Sequence, residues 1–467
     1  MQRRRWLPRL LRFCATVCAL AALWPGLGRA DRTHAVATPE AALRPVAHGL
    51  SAKHRMVDPL SEEGQRAHGL YFNAPMQHRL GAKGIARVVR NAGMNAAVLD
   101  LKDSDGRVTW DTQIHSLQAQ RHLYFKDVPA YIAELKSLGV YTIGRVVCFN
   151  DPYLPLNEPD RAVLDDRPGK QGQVWATWGH RNPWLDPYNT RNHDLIVEMA
   201  KEVQALGLDE IQFDYIRFPV DRATRFARFP AKTSMPKRQV LVSMLTRVDE
   251  AIDIPIGTDV FGVSAFHEGD AEGLGQVPEA WAPYVEVFTP MLYVDGMRSW
   301  NRNEKVSRAE HLILAGIKNL RRRLGKGPVI RPFLQAYARN ADYYNAAFIA
   351  EQVRGAREGG ADGFLFWSPG STYSMVQAAM GGAWRNLLPF PIDARLKYRA
   401  RHWPKPSRDA DGPVIAAAPE TQQEQDAQEL DSQEPQDAQD AMGEEPDALP
   451  SSAQAQPVDA VTKPSVR

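Results

Sequence analysis

Short runs of β-branched and aromatic residues alternate along the chain with longer segments in which apolar residues recur at helical spacing. The short runs predict eight strands, at residues 69–72, 97–101, 141–147, 210–214, 256–261, 285–290, 329–334 and 363–367. The longer segments predict helices at 82–92, 128–138, 190–206, 236–251, 277–282, 308–324 and 348–358. Several of these helices end at a glycine just before the next strand. Strands and helices that alternate in this way predict an α/β fold, a single (β/α)8 TIM barrel.

The fourth predicted strand alternates in polarity. Ile211 and Phe213 lie on one face, and Glu210, Gln212 and Asp214 lie on the other, because successive strand residues point to opposite sides. An apolar back and a polar front suit a barrel strand that is covered outside by helices. The carboxyl end of this strand is therefore predicted to present chemistry.

Polar or aromatic residues also follow the other predicted strands. The carboxyl ends of barrel strands meet at one face, where their loops build the active site. The candidate substrate-binding residues at this face are Asp100, Lys102, Arg145, Asn150, Tyr215, Arg217, Tyr293, Gln335 and Trp367. A ring of such residues predicts a catalytic pocket.

The longest interruption between predicted strands covers residues 151–189. It contains Tyr153, Trp175, Trp178, Trp184 and Tyr188. Flat aromatic side chains stack on the apolar faces of sugar rings, and they also pack a loop against a barrel. Trp184 is a candidate for sugar binding, and both alternatives stay open for the loop.

Two aspartates at the ends of adjacent strands, Asp214 and Asp259, are the best candidates for catalysis. Glycoside hydrolysis needs one protonated carboxyl group and one ionised carboxylate. An aromatic residue follows each aspartate within two positions, which favours burial and a separation of the two pKa values. The structural alternative is that each aspartate caps a helix or bonds a neighbouring arginine.

Asp100, Arg145 and Arg217 each have two interpretations. Asp100 either bonds a sugar hydroxyl or holds Lys102. The two arginines either bind an anionic sugar or pair with an aspartate of the barrel. Residues 103–106 resemble the start of a calcium loop, but Ile114 stands where the loop needs an acid, so a turn is predicted.

Several classes of chemistry are not indicated. His180, His193 and His267 lack the spacing of a zinc site, so no metal is predicted. The chain has no Gly-x-Ser-x-Gly elbow of a serine hydrolase. No glycine-rich phosphate fingerprint follows the first strand, which disfavours a doubly wound nucleotide-binding sheet. We therefore predict no cofactor.

The composition describes an ordinary soluble globular protein. The 467 residues are 44% hydrophobic and carry a formal net charge of +2, so no basic excess points to nucleic acid. Residues 1–30 combine an arginine-rich start with an apolar run at 13–24, which predicts a signal peptide and an exported protein, periplasmic or extracellular. The run is shorter than the roughly 20 residues of a membrane span, so an uncleaved anchor is the weaker alternative.

The remaining segments give the predicted domain organisation. Residues 31–63 lack periodicity and predict a loose arm, and the barrel domain is predicted at 64–400. Residues 404–467 are rich in Gln, Glu, Asp, Ala and Pro and predict a disordered acidic tail. Cys148 lies in an apolar run, where a buried inert thiol is predicted rather than a nucleophile.

Residues 68–375 resemble a bacterial glycosyl hydrolase domain family that was once catalogued as a domain of unknown function. The resemblance rests on AVLDLKD (97–103), IGRVVCFNDP (143–152), WLDPYN (184–189), DEIQFDYIRFP (209–219), DVFG (259–262), TPMLY (289–293), RPFLQ (331–335) and GFLFW (363–367). The third motif adds Asp186 to the candidate substrate-binding residues.

The resemblance implies a barrel distantly similar to α-amylase-type hydrolases, in which the nucleophile follows strand four and the acid follows strand five. By position, Asp214 is then the nucleophile and Asp259 occupies the place of the acid, which is usually a glutamate. The leading hypothesis is an exported glycoside hydrolase that cleaves an envelope or extracellular polysaccharide with retention. The alternative is a barrel that binds glycan without cleaving it, as an accessory protein in polysaccharide export or wall assembly.

Overall fold

The computed structural model describes residues 60–177, 182–220, 222–266, 273–297, 306–388 and 390. The predicted signal peptide, the predicted acidic tail and nearly all of the predicted arm lie outside these residues. Their assignments stay predictions. Within the described ranges, no helix combines the length and the apolar character that crossing a membrane requires.

Eight parallel strands form a closed barrel. They are β1 His68–Phe72, β2 Ala96–Lys102, β3 Tyr141–Val147, β4 Glu210–Asp214, β5 Ile256–Phe261, β6 Val287–Met291, β7 in two segments, Val329–Ile330 and Phe333–Gln335, and β8 Phe364–Trp367. Each strand pairs with the next, and β8 pairs with β1 to close the barrel. The predicted (β/α)8 fold is confirmed.

A helix follows each barrel strand. These helices are α1 Ala74–Asn91, α2 Val128–Ser137, α3 Thr190–Ala205, α4 Lys237–Ala251, α5 Pro278–Trp281, α6 Arg308–Leu324, α7 Ala346–Gly359 and α8 Ser374–Ala378. Helix α1 begins at Ala74 rather than at 82, because the Asn73 side chain accepts a hydrogen bond from the Met76 N–H and so caps an earlier turn. Its axis kinks at Gly81, where φ is +60°, and this break hid the first turns from the sequence pattern.

Strand β7 is interrupted where a continuous strand was predicted. Pro332 lies between its two segments and has no N–H to donate to a neighbouring strand. The Pro332 carbonyl still accepts a hydrogen bond of 2.9 Å from the Leu365 N–H of β8. The barrel therefore stays closed across the interruption.

The predicted alternation of β4 is present. Ile211 and Phe213 pack in the apolar layer between the strands and the helices. Glu210, Gln212 and Asp214 are buried on the opposite face, inside the barrel. One strand therefore places three polar side chains at the bottom, middle and top of the barrel interior.

The floor of the barrel contains a buried ion pair. Both η nitrogens of Arg331 donate to the carboxylate of Glu210, at 3.0 to 3.2 Å, and both side chains are fully buried. The Tyr141 hydroxyl donates to the same carboxylate at 3.1 Å. Arg331 also donates to the carbonyl of Gly64, in the short helix Glu62–Gln65 that precedes β1.

This helix corrects the predicted end of the loose arm. Leu60 is buried, and the Ser61 side chain caps the helix by accepting a hydrogen bond from the Gly64 N–H. Residues 60–63, which the prediction assigned to the arm, therefore belong to a segment that packs against the floor of the barrel.

We expect Arg331→Met to reduce the free energy of unfolding by about 3 to 5 kcal/mol, because it leaves the Glu210 charge buried without a partner. Adding Glu210→Gln removes that charge, so the double variant should be more stable than Arg331→Met alone. Urea unfolding of the two variants and of Glu210→Gln measures the coupling. Additive losses would contradict the interpretation of the pair as one unit.

Candidate active site

The guanidinium of Arg145 lies at the centre of the upper barrel. Its Nη1 donates to Asp100 Oδ1 at 2.7 Å. Its Nε and Nη2 donate to Asp214 Oδ2 at 3.0 and 2.6 Å. The planar fork of an arginine suits this task, because it addresses two carboxylates in fixed directions. Arg145 therefore joins β3 to β2 and β4 at the carboxyl ends of the strands.

Asp100 holds Arg145 and not Lys102. Its Oδ2 accepts a hydrogen bond of 2.6 Å from the Tyr71 hydroxyl, and the Arg145 guanidinium lies 5.7 Å from the Tyr71 ring. Lys102 instead forms an ion pair of 2.9 Å with Asp151, and both side chains are buried. A register shift between Asp100 and Lys102 marks a β-bulge, which re-aims the side chain that follows it.

Asp214 accepts hydrogen bonds on both oxygens. Oδ1 takes the Tyr215 N–H at 2.6 Å, and Oδ2 takes Arg145. Tyr215 has a φ of +53°, which an L-residue with a bulky side chain rarely adopts. The other described non-glycine residues with positive φ, Asn340 and Ser371, also follow barrel strands at this face. Backbone strain is thus concentrated where an active site is expected.

Asp259 lies beneath this cluster and is fully buried. Its Oδ1 accepts a hydrogen bond of 2.5 Å from Gln212 Nε2, and its Oδ2 lies 4.0 Å from Arg145 Nε. Burial, followed by the charge of Asp214, raises the pKa of Asp259 well above its usual range. Since Asp214 Oδ2 and Asp259 Oδ2 both approach Arg145 Nε, at 3.0 and 4.0 Å, they lie no more than about 7 Å apart.

A cleft opens above Arg145 at the carboxyl ends of the strands. Six predicted site residues lie on its wall: Arg145, Asp214, Tyr215, Arg217, Tyr293 and Trp367. Asp259 does not line the cleft, because Phe261, two residues further along β5 on the same face, occupies that part of the wall. The structure therefore brings the predicted nucleophile to the cleft and keeps the predicted acid behind it.

One side of the cleft is aromatic. The ring of Trp367 lies 5.6 Å from that of Tyr293, 5.4 Å from Tyr337 and 6.1 Å from Tyr71, measured between ring centroids. These residues come from β8, β1 and the ends of β6 and β7. The aromatic side faces the charged side that Arg145 and Asp214 build from β3 and β4.

The described tryptophans of the predicted aromatic loop pack against the protein and do not line the cleft. Trp175, Trp184 and Tyr188 are buried, and Trp178 lies outside the described residues. The Arg217 guanidinium lies 5.0 Å from the centroid of the Trp184 ring and 5.2 Å from that of Tyr215. Such cation–π contacts hold an arginine in place. Trp184 thus supports Arg217 from below.

Three other predicted substrate-binding residues stabilise loops instead of reaching the cleft. Asp186 accepts hydrogen bonds of 2.9 Å from the N–H groups of Tyr188 and Ala231, and burial raises its pKa to about 6. Asn150 is buried in a backbone bridge with Trp184. Gln335 donates to the carbonyls of Tyr337 and Arg339 and accepts from the Asp295 N–H, so its amide is used by the backbone.

Asp295 and Arg339 were missed from the sequence. Both line the cleft, on the loops that follow β6 and β7. The available signal was Asp295 itself, an acid followed by Gly296 and two residues beyond the predicted site residue Tyr293. Two other earlier expectations hold: Cys148 is buried, and Gly106 closes the predicted turn with a φ of +78°.

Among the described residues, no three acidic, histidine or cysteine side chains are arranged as a metal site. The positive charge among Asp100, Asp214 and Asp259 is that of Arg145.

A family model described as "Putative glycosyl hydrolase domain" matches residues 70–373. The chain belongs to this family. The match covers all eight strands except the first residues of β1, and it includes the cleft. No curated protein sequence matches the chain.

Several solved structures are similar to this chain. The glycoside hydrolase domain of PgaB (BpsB) from Bordetella bronchiseptica is 14% identical, with a TM-score of 0.51 over 68% of this chain and 98% of that chain. A hypothetical protein from Ruminiclostridium thermocellum is 28% identical over 41% of this chain and 97% of that chain, with a TM-score of 0.36. An α-galactosidase from Thermus thermophilus is 14% identical over 71% of this chain and 63% of that chain, with a TM-score of 0.44. The likeness to the PgaB domain concerns the fold of the barrel.

We expect Arg145→Met to be destabilising by about 3 to 5 kcal/mol at pH 7.5, because it leaves buried carboxylates without their cation. Adding Asp214→Asn removes one of these carboxylates, so the double variant should be more stable than Arg145→Met alone. Urea unfolding of the two variants measures the difference. Arg87→Met, on the exposed side of α1, should change stability by no more than about 0.5 kcal/mol. Equal stability of Arg145→Met with and without Asp214→Asn would show that Arg145 acts through packing alone.

Proposed function

We propose that the protein is an exported glycoside hydrolase that cleaves a glycosidic bond in an envelope or extracellular polysaccharide. The observation that carries the proposal is the contact of one buried guanidinium with Asp214 and Asp259 at the edge of a cleft with an aromatic wall. The family and the barrel of the PgaB domain support hydrolysis of glycans as the class of reaction. Export is proposed from the signal peptide pattern at residues 1–30.

In the proposed mechanism Asp214 is the nucleophile and Asp259 is the acid. Arg145 and the Tyr215 N–H donate hydrogen bonds to Asp214 and hold its side chain at the wall of the cleft. Asp259, whose raised pKa favours its protonated form, gives its proton to the glycosidic oxygen as the bond from that oxygen to C1 breaks. Asp214 forms a bond to C1, and water then hydrolyses this intermediate while Asp259 takes a proton back.

The geometry favours retention of configuration. The upper limit of about 7 Å between the two Oδ2 atoms admits the separation of about 5 Å in retaining enzymes and excludes most of the range of inverting ones. After burial, the charge of Asp214 is the next cause that raises the pKa of Asp259, because loss of the Asp259 proton places a second negative charge nearby.

We expect Asp214→Asn to reduce turnover by at least about a thousandfold, because an amide cannot form the covalent intermediate. The measurement is the release of reducing ends from a panel of bacterial polysaccharides, beginning with the one that the wild type cleaves fastest. Asp111→Asn, which changes an exposed aspartate outside the cleft wall, is the matched control. Full activity of Asp214→Asn on a confirmed substrate would remove the proposed mechanism.

The raised pKa of Asp259 also predicts a pH profile. The acid works only while it is protonated, so kcat/KM should fall as the pH rises through its pKa. Asp259→Asn should abolish this alkaline limb and should keep most activity on an aryl glycoside whose leaving group needs no proton. An unchanged alkaline limb in Asp259→Asn would assign the acid to another residue.

The burial of Asp259 favours a second candidate function, a barrel that binds glycan without hydrolysing it. A carboxyl group with no exposed surface and no place on the cleft wall is poorly situated to protonate a leaving group. Measuring binding and reducing-end release on the same glycan panel separates the two functions. Binding without release, unchanged by Asp259→Asn, supports the accessory role.

A further inference from the structure

A second carboxylate lines the cleft beside the aromatic side. Asp295 follows β6, and its Oδ2 accepts hydrogen bonds from Arg339 Nε at 2.6 Å and from the Tyr337 hydroxyl at 3.2 Å. Its Oδ1 accepts from the side-chain amide of Asn340. The three donors all belong to the loop after β7, so a single loop fixes the direction of this carboxylate.

The backbone around Asp295 is held as firmly as its side chain. The Asp295 N–H donates to Gln335 Oε1 at 2.8 Å, and the amide of Gln335 donates to the carbonyls of Tyr337 and Arg339. Asn340 has a φ of +53°, and its carbonyl accepts a hydrogen bond of 2.6 Å from Arg308. A strained residue that is held on both sides is typical of a preorganised site.

This arrangement leaves Asp295 able to accept one more hydrogen bond. A carboxylate offers about four acceptor positions, and the described donors use three of them. The side chain lies on the cleft wall and is otherwise 98% covered, since only 2% of it is exposed. A ligand in the cleft is thus the group that can supply a fourth donor.

The position of Asp295 relative to the rings indicates the kind of ligand. Tyr337 bonds Asp295 through its hydroxyl, while its ring lies 5.4 Å from Trp367 and 6.4 Å from Tyr293. An aromatic surface accepts the apolar face of a sugar ring, and an acceptor at its edge then meets the hydroxyl groups of that ring. A hydrogen-bond acceptor at this place suits a sugar hydroxyl, which can donate, and does not suit the carboxylate of an acidic sugar, which cannot.

We propose that Asp295 contacts the substrate by accepting a hydrogen bond from a hydroxyl group of a neutral sugar that packs against Trp367, and that Arg339 and Asn340 are its positioning residues. The inference rests on the proposed function in one respect, that the cleft takes a glycan. Asp295 is not assigned as the acid, because both of its oxygens already accept hydrogen bonds from the loop after β7, one of them from the cationic Arg339.

The first test is binding to the full-length protein with Asp214→Asn, which prevents turnover. Isothermal titration with neutral oligosaccharides of glucose, galactose, mannose and N-acetylglucosamine identifies a ligand. Adding Asp295→Asn should weaken its binding about tenfold or more, as expected for a lost hydrogen bond to a charged group. Adding Asp111→Asn, which also removes a carboxylate with an arginine partner at 2.6 Å, should leave affinity unchanged. Equal affinity with and without Asp295→Asn overturns the proposal, as does a panel in which acidic glycans alone bind.

A second variant guards against a loss of folding. Arg339→Ala should weaken binding, and Arg339→Lys should restore part of it because the positive charge is kept. Thermal unfolding of each variant shows whether the loop is intact. If Asp295→Asn melts well below the wild type, the test rests on the ligand affinities of Arg339→Ala and Arg339→Lys. Identical affinities of these two variants overturn the proposal.

Kinetic measurements test whether Asp295 acts as the general acid or as a substrate-binding residue. On aryl glycosides with good and poor leaving groups, Asp295→Asn should lower kcat/KM by the same factor. A loss that disappears with the good leaving group makes Asp295 the acid and overturns the assigned role. If the wild type cleaves no glycan of the panel but binds one that Asp295→Asn binds more weakly, the proposed hydrolase is contradicted and the subsite is supported. The failure of the proposed function and the failure of this inference are therefore distinguishable.

Discussion

Three aspartates, Asp100, Asp214 and Asp259, point into the upper barrel, and a single guanidinium lies among them. Like charges in a poorly solvated interior repel strongly, so this arrangement is stable only while Arg145 compensates them or while one carboxyl group stays protonated. The contacts of Arg145 differ among the three aspartates. It donates twice to Asp214 and only approaches Asp259, and the carboxyl group with the raised pKa is the one that it does not bond.

The depth of each residue in the barrel then decides its chemistry. Asp214 ends β4, and its contacts with Arg145 and Tyr215 leave it at the cleft. Asp259 stands opposite Thr289 of β6, and β5 continues beyond it to Phe261, whose ring takes the place on the wall. Asp295 stands past the end of β6 and reaches the wall from above. A difference of a few residues along parallel strands thus separates a fully buried carboxyl group from carboxyl groups on the wall of the cleft.

Local patterns in the sequence predicted the barrel well, because strand alternation, helical spacing and glycine stops are properties of neighbouring residues. The same alternation placed Asp214 inside the barrel. The partners of charged residues could not be obtained in this way. Asp100 and Lys102 are two positions apart, yet one binds Arg145 and the other Asp151, because a bulge between them changes the direction of the second side chain. Gln335 resembled a binding residue because the use of its amide depends on the fold: its oxygen accepts from the Asp295 N–H, 40 residues away along the chain, and its nitrogen donates to carbonyls of the loop that follows it.

The contact between Arg331 and Gly64 fixes where the polypeptide enters the barrel. Leu60 and the helix Glu62–Gln65 lie at the amino ends of the strands, and the cleft opens at their carboxyl ends. Whatever is joined to the chain ahead of Leu60 therefore attaches at the closed end. A surface linkage made directly at Leu60 would therefore join the barrel at the face opposite the mouth of the cleft and would leave that mouth open to solution.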